Sequence, residues 1–461
     1  MHRAMHTISG FLLGALCFSL MFMGIGSFSP KSIFGVTPFE LILIVMLPLF
    51  LFHAWQIRRS LSRSLLFWGI VTWVLGEGIS AVAAGRLDAE WTSVARGGLM
   101  SALIVGVAAM TIDNQLNRTA KQGLIRGAAL SLTISLIGYV FFVVTGADSG
   151  PSTPFVYFSS FFNTAELPRL SGTYHDSPQH YGEYLLTVIS VVVSSLHDEK
   201  ASGARQRLYH GVAIVATVAL FLTFSFSVAA FFVWSSVVIS VLSKRHRWFK
   251  QISILAAGTV AVFIALWMNI GLPFAVVGNS RVQETDCRTL DKDHILYAAG
   301  ELRGMPKCFV LLNDFPYRSL ETTYRAAKET AVRAVSKFFP WGTGYRSYPA
   351  WAAADSEQKL SNAQNYYIYP HCTYLSAAAV RGVFGIFGLI LIVAGVFQLR
   401  PSQTGGSFES VPLWGAAVAF AIIGVNVEVM ENRSLWLLLA LLWGHRLRLE
   451  DTTKHLREDT E

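Results

Sequence analysis

Charge is what this sequence has least of. Asp, Glu, Lys and Arg make up 14% of its 461 residues, against about 25% in soluble proteins, so an ordinary water-soluble domain is excluded. The short motifs of several common chemistries are missing as well. No GxxxxGK[ST] loop is present to cradle a nucleotide phosphate, which leaves an ATP-driven mechanism unsupported. The histidines are scattered, without HExxH or paired-cysteine spacing, so a zinc centre has no basis. No serine sits in a GxSxG elbow. Asp291-Lys292-Asp293 resembles an acidic pair for a metal-bound nucleotide, but it follows no strand pattern, and no metal site is assigned. Internal repeats and low-complexity tracts are absent too. Only four cysteines occur: Cys17 lies in the first apolar run, Cys372 is beside His371, and Cys287 and Cys308 share one long loop. That last pair is a disulfide candidate if the loop faces an oxidising compartment.

What the sequence does have is apolar length. It is 53% hydrophobic, with a mean hydropathy of +0.46, and its apolar windows recur at about 17 to 24 residues, enough to cross a hydrocarbon core of about 30 Å. Twelve spans are expected, at 8–28, 38–56, 65–84, 94–111, 124–146, 180–196, 208–224, 227–243, 251–272, 374–398, 411–428 and 434–446. The fold class is therefore all-α, a polytopic integral membrane protein. The first window is long for a signal peptide and lacks a small-x-small cleavage site, so it reads as a retained span.

The net charge of +8 reflects orientation rather than nucleic-acid binding. Arg58, Arg59 and Arg63 follow the second window, Arg118 and Lys121 the fourth, Arg205 and Arg207 the sixth, Lys244 and Arg245 the eighth, and Arg446 and Arg448 the last. The alternate connections hold few basic residues, so the positive-inside rule puts both termini in the cytoplasm. Two long connections then fall on the other side, Asp148 to Gln179 and Leu272 to Thr373. The chain divides into 1–272, with nine helices and the Arg169 loop, 273–373 as an extracytoplasmic cap, and 374–461, with three helices and a cytoplasmic tail. Within the cap, Leu320, Tyr324, Ala327, Ala331, Val335 and Phe338 recur at helical spacing, predicting an amphipathic helix that Pro340 ends.

Several residues stand out against this apolar background. His371, at a water–lipid boundary, can change charge or accept a proton near neutral pH; an interfacial anchor is the alternative. Arg169 opens a polar run that includes Asp176, Gln179 and His180. A guanidinium there can grip phosphate oxygens bidentately, while the same run also reads as a helix start capped by Asp176 or Ser177 with Pro178 first. Arg318 and Arg325 share a face of the cap helix, and Glu321 and Glu329 flank Arg325 at ion-pair spacing. Arg381 lies about 15 Å along its helix from His371. At that depth it needs a partner or an aqueous cavity, with Glu183, Glu428 and Glu431 as candidates.

Three stretches together resemble the O-antigen ligase and polymerase superfamily of membrane glycosyltransferases. Arg169-Leu-Ser-Gly-Thr-Tyr, followed by Asp176 and Pro178, is similar to an Arg-x-x-Gly-Thr-Phe element with a downstream Asp-Pro-Asn. Arg325, Pro340 and Gly342-Thr343-Gly344 are similar to an Arg helix and its Pro-x-x-Gly-x-Gly turn. His371-Cys-Thr-Tyr-Leu, with Gly382 beyond, is similar to a His-Asn-x-x-Leu element and distal glycine. Gln179, Cys372 and Phe226 depart from the residues usual in that family.

The resemblance implies a GT-C-like fold in a bacterial inner membrane, with chemistry on the periplasmic face. It implies a metal-independent, inverting transfer of glycan from an undecaprenyl-diphosphate donor, without a cofactor. Arg169 and Arg325 would neutralise the diphosphate, and His371 would activate or position the acceptor hydroxyl. Asp176, Gln179, Arg318, Tyr374 and Arg381 would line the substrate. The acceptor is a lipid-linked repeat for a polymerase, the favoured reading, or lipid A-core or protein for a ligase. Membrane lipids and a chain-length regulator are the further partners. The rival is a lipid-linked glycan transporter, which calls for helix breaks and charges at the midplane of several spans in a repeated layout.

Overall fold

Thr37 shows how the sequence starts its helices. Its hydroxyl accepts from Glu40 N at 3.3 Å while the Glu40 carboxylate accepts from Thr37 N at 2.9 Å, a reciprocal cap that begins the helix at Pro38. The computed structural model describes residues 2–22, 37–85, 87–145, 156–159, 167–174, 177–196, 203–223, 225–242, 326–355, 370, 372–401, 409–425, 427–430 and 432–458.

The elements run α1 (His2–Ser19) with a 3-10 turn, α2 (Pro38–Gln56), α3 (Arg58–Leu61), α4 (Leu65–Ala83), α5 (Leu87–Met110) and α6 (Asn114–Thr145). Strands β1 (Val156–Ser159) and β2 (Leu167–Leu170) follow, then α7 (Pro178–Leu196), α8 (Gly203–Leu222) and α9 (Phe226–Leu242). The later helices are α10 (Ala326–Phe338), α11 (Ser347–Asp355), α12 (Thr373–Gln398), α13 (Ser410–Ile423) and α14 (Arg433–Glu458). Among the described residues, Pro38–Gln56, Leu65–Ala83, Glu90–Met110, Asn114–Phe141 and Thr373–Gln398 are long and apolar enough to cross a bilayer by length and composition. The protein is a helical membrane protein.

The expected window at 251–272 lies outside the described residues, and each other window overlies a helix. Several boundaries differ: α1, α5, α6 and α8 begin at His2, Leu87, Asn114 and Gly203, five to ten residues ahead of their windows, and two helix ends are displaced. α13 stops at Ile423, because the chain turns there and its Gly424 carbonyl accepts from Thr373 N at 2.8 Å. α14 runs on to Glu458, its continuation tied by Arg448 to Asn114 at 2.6 Å and to the Thr111 carbonyl at 2.7 Å.

Glycines set the closest helix pairs, as expected where lipid gives no hydrophobic drive to association. α4 lies along α12 with Gly69 against the backbone of Ile392 and Gly388 against that of Trp73. A Cβ on Gly123 of α6 would meet the Gly14 carbonyl of α1 at 2.3 Å. α7 and the first half of α14 are buried nearly all round and form the centre of the bundle, with Leu437 to Trp443 of α14 all buried.

Polar contacts divide the bundle into two ends. At the proximal end His6 lies 3.3 Å from Asp113, Lys121 of α6 is paired with Glu409 and hydrogen-bonds Ser194 at 3.0 Å, and His445 of α14 is 3.6 Å from Glu409. Burial alone would raise the Glu409 carboxyl; Lys121, with His445 and Arg448 beside it, outweighs it and holds the group below its usual range. The start of α1 and the latter part of α14 thus share this end. The starts of α2, α5, α7, α12 and α14 meet at the opposite, distal end.

The cap helix lies at the distal end. Ala327, Ala331 and Ala334 of α10 are buried, and the last two pack with Tyr348, Ala379 and Val380. Ala327 and Ala331 belong to the apolar face predicted from the spacing, Val335 and Phe338 of that face pack partly buried beside them, and Leu320 and Tyr324 lie outside the described residues.

Candidate functional site

The distal end is organised by a break in α12. Gly382 has φ +62° in the middle of that helix, a conformation that L side chains adopt only at a cost. The loop after α10 fills the gap. Val383 N donates to the Pro340 carbonyl at 2.8 Å, Thr343 N to Ala379 O at 2.9 Å, and Gly344 N to Val380 O at 3.0 Å. A Cβ on Gly342 would meet Gly382 N at 2.6 Å, and one on Gly382 would meet Pro340 O at 2.0 Å. Two glycines far apart in sequence are therefore required by one contact. Glu90 of α5 secures the far side of the loop, accepting from Arg346 N at 3.0 Å, Ser347 N at 2.7 Å and Ser347 Oγ at 2.8 Å.

Arg381 sits at the break, 6% exposed. Its guanidinium lies 4.1 Å from the centre of the Trp73 ring and 3.6 Å from Glu77 Oε1 of α4. The partner is thus Glu77, not Glu183 or Glu428, and Glu431 lies outside the described residues. α4 packs along α12, which brings Glu77 to the depth of Arg381. Arg381 is engaged by the fold as an ion pair, a role that the sequence left open beside substrate contact.

Arg169 lies on β2, paired in register with Tyr157 of β1. The short antiparallel pair was expected only as loop. It is anchored at Gly172, whose φ is +55° and where a Cβ would lie 2.3 Å from the Tyr181 ring. Thr173 Oγ1 is 2.9 Å from Ser131 Oγ of α6, and the Tyr174 hydroxyl donates to Leu20 O at 3.1 Å. Burial raises the Tyr174 phenol. The Gly-Thr-Tyr portion of the Arg169 motif therefore fixes β2 to α1, α6 and α7. The helix that follows begins at Pro178, with Ser177 Oγ accepting from His180 N at 3.2 Å.

Gln179 spends its amide within the protein. Its Oε1 accepts from Phe226 N at 3.0 Å, capping α9, and its Nε2 donates to Glu183 Oε1 at 2.7 Å. Glu183, fully buried, also accepts from Asn432 Nδ2 and lies 3.2 Å from His180 Nδ1. Beside it, Arg433 Nη2 donates to Glu40 Oε1 at 2.5 Å, and Arg96 Nε approaches the same oxygen at 3.6 Å. A chain of polar groups, largely buried but exposed at Arg96, thus links α2, α5, α7, α9 and α14 across the distal end. Its members Glu40, Arg96, Asn432 and Arg433 were not singled out from sequence, nor was Glu90 beside the α10 loop; the charges of Glu40 and Arg96 in otherwise apolar windows were the available signal.

Tyr374 borders an apolar groove of about 150 Å³, walled by Leu389, Val393, Ala417, Ala421 and Leu439. Its hydroxyl donates to Ala421 O at 2.6 Å. Cys372, just ahead of α12, is buried and in no disulfide, and burial pushes its thiol up. Lys328 of α10 acts on the same thiol, and its own ammonium is pushed down by burial. His371, Arg318, Arg325, Asp176, Cys287 and Cys308 lie outside the described residues. No known protein family matches the chain, and no curated protein matches it either.

Proposed function

We propose that the protein is a glycosyltransferase of the O-antigen ligase and polymerase type, with about twelve spans in a GT-C-like arrangement. It works in a bacterial inner membrane, with its proximal end and termini cytoplasmic and its distal end facing the periplasm. The observation that carries this reading is the contact between Gly342 and Gly382. Two separate elements of the resemblance, the Pro340-to-Gly344 turn and the distal glycine, meet at the helix whose start adjoins His371. The first element, on β2, is anchored at the same end of the bundle.

In the reaction, the acceptor oxygen attacks the anomeric carbon of an undecaprenyl-diphosphate-linked glycan, and the bond from that carbon to the diphosphate oxygen breaks. Arg169 and Arg325 stabilise the charge on the departing diphosphate, and His371 positions the acceptor hydroxyl. The groove beside Tyr374 takes isoprenoid tail, a role suited to its apolar walls. The donor carries its own activation, so the reaction draws on no nucleotide.

Cys372 and Phe226, which depart from the ligase-like motifs, favour polymerase over ligase. Purified protein given the lipid-linked repeat, with and without lipid A-core, tests this. A ladder of lengthened lipid-linked glycan without core is expected; product linked only to core assigns a ligase instead.

A further inference from the structure

We propose that the turn joining α10 to α11 is inserted into the distal leaflet of the bilayer, with Phe339 and Trp341 seated among lipid chains. This seating holds whatever reaction the distal end performs. Its depth is set by the helices around it. The turn meets α12 at Gly382, about 13 Å of helix rise inward from the start of that helix at Thr373. α4 and α5 give a similar level. Gly76 of α4 faces Arg381 and Phe384 at the break, and the helix runs on from there to Ala83. Glu77 beside it reaches Gly97 of α5, whose apolar span starts at Glu90. Each of these two intervals is about 10 Å of rise. The turn therefore docks well inside the distal ends of three helices that are long and apolar enough to cross a bilayer.

The backbone of the turn needs no water. Every backbone N–H from Phe339 to Gly344 is bonded within the protein. Phe339 N donates to Val335 O at 3.0 Å, Trp341 N and Gly342 N to Phe338 O at 2.9 and 3.0 Å, and Thr343 N and Gly344 N to the Ala379 and Val380 carbonyls of α12. Pro340 has no N–H, and its carbonyl accepts from Val383 N. Non-helical backbone is tolerated at membrane depth only when its polar groups are satisfied by protein or by water in a cavity. The side chains that remain outward are apolar: Phe339 is 58% exposed and Trp341 50%. Leu75 of α4 is exposed at the depth of the break and Val82 near the helix end, so apolar surface continues from this level outward. Trp91 of α5, next to Glu90, is exposed at the outer level, the headgroup position that tryptophan favours. Arg346, whose backbone N–H is held by Glu90, is exposed at that level too, where a guanidinium meets lipid phosphate. Aromatic rings below and a cation above match the layers of one leaflet.

The test uses the wild-type chain in nanodiscs of phosphatidylcholine that carries a photoreactive diazirine, either midway along one acyl chain or on the headgroup. Trypsin cuts after Lys337 and Arg346 and so releases Phe338 to Arg346 as one peptide, and fragment ions place each adduct within it. The α4 peptide Ser64 to Arg86 is the lipid-exposed reference, and Leu449 to Lys454, at the far end of α14, is the peptide outside the bilayer. The acyl-chain probe is expected to label Phe339 to Trp341 at a yield about tenfold above Leu449 to Lys454 and about threefold above that of the headgroup probe. Equal or stronger labelling by the headgroup probe puts the turn at the membrane surface and overturns the proposal. So does a turn left unlabelled by both probes while the α4 peptide is labelled, the result for a turn that lines a water-filled cleft.

Discussion

Replacing Gly382 with alanine is expected to destabilise the protein by more than about 4 kcal/mol, the range reached only when a core clash or backbone strain is forced. The residue has φ +62°, and a left-handed conformation costs an L residue about 1 to 2 kcal/mol by itself. The added Cβ would also sit 2.0 Å from the Pro340 carbonyl, which cannot retreat without losing its bond from Val383 N. Gly78→Ala on α4 is the comparison, because a Cβ there meets nothing within 4 Å. It should leave stability unchanged or slightly improved. Thermal unfolding in detergent decides the matter: equal midpoints for the two variants would show that the loop and the helix break are not coupled.

Arg169→Ala and His371→Ala are each expected to lower glycan transfer by about 10² to 10³, the usual loss when one group stabilising transition-state charge or handling the acceptor is removed. Folding should survive both. β2 is held through Gly172, Thr173 and Tyr174, and α12 is fixed from Thr373 onward. Arg333→Ala, on the exposed side of the cap helix, should leave the rate near that of the wild type. Transfer rates paired with unfolding midpoints check all three. Full activity in both site variants would remove Arg169 and His371 from the mechanism.

Much of the helical layout is legible in the sequence because length, apolar composition and punctuation are local properties. The capping pair Thr37–Glu40, the Pro178 start with its Ser177 cap and the buried alanine face of α10 all follow from neighbours within a few residues. What is not legible is which helices touch. A span that is apolar all round carries no periodic signal for its packing face, so the sequence offered three acids for Arg381 and missed Glu77, which reaches it because glycines let α4 lie close to α12. The same limit hid the Glu183–Asn432 and Glu40–Arg433 pairs, which join helices distant in sequence. Gly382 was visible as a motif glycine, but its break and its docking against Gly342 depend on a loop many residues away. The β-ladder was hidden by its four-residue strands, too short to show alternation.

The central claim, that the protein breaks and remakes a glycosidic bond at its distal face, is tested most directly by reconstituting the wild type in proteoliposomes. The donor is an undecaprenyl-diphosphate-linked repeat, supplied in chelator and without nucleotide sugar. Transferred glycan and free undecaprenyl diphosphate should appear in equal amounts. Intact donor that only changes leaflet would contradict the claim and identify a transporter.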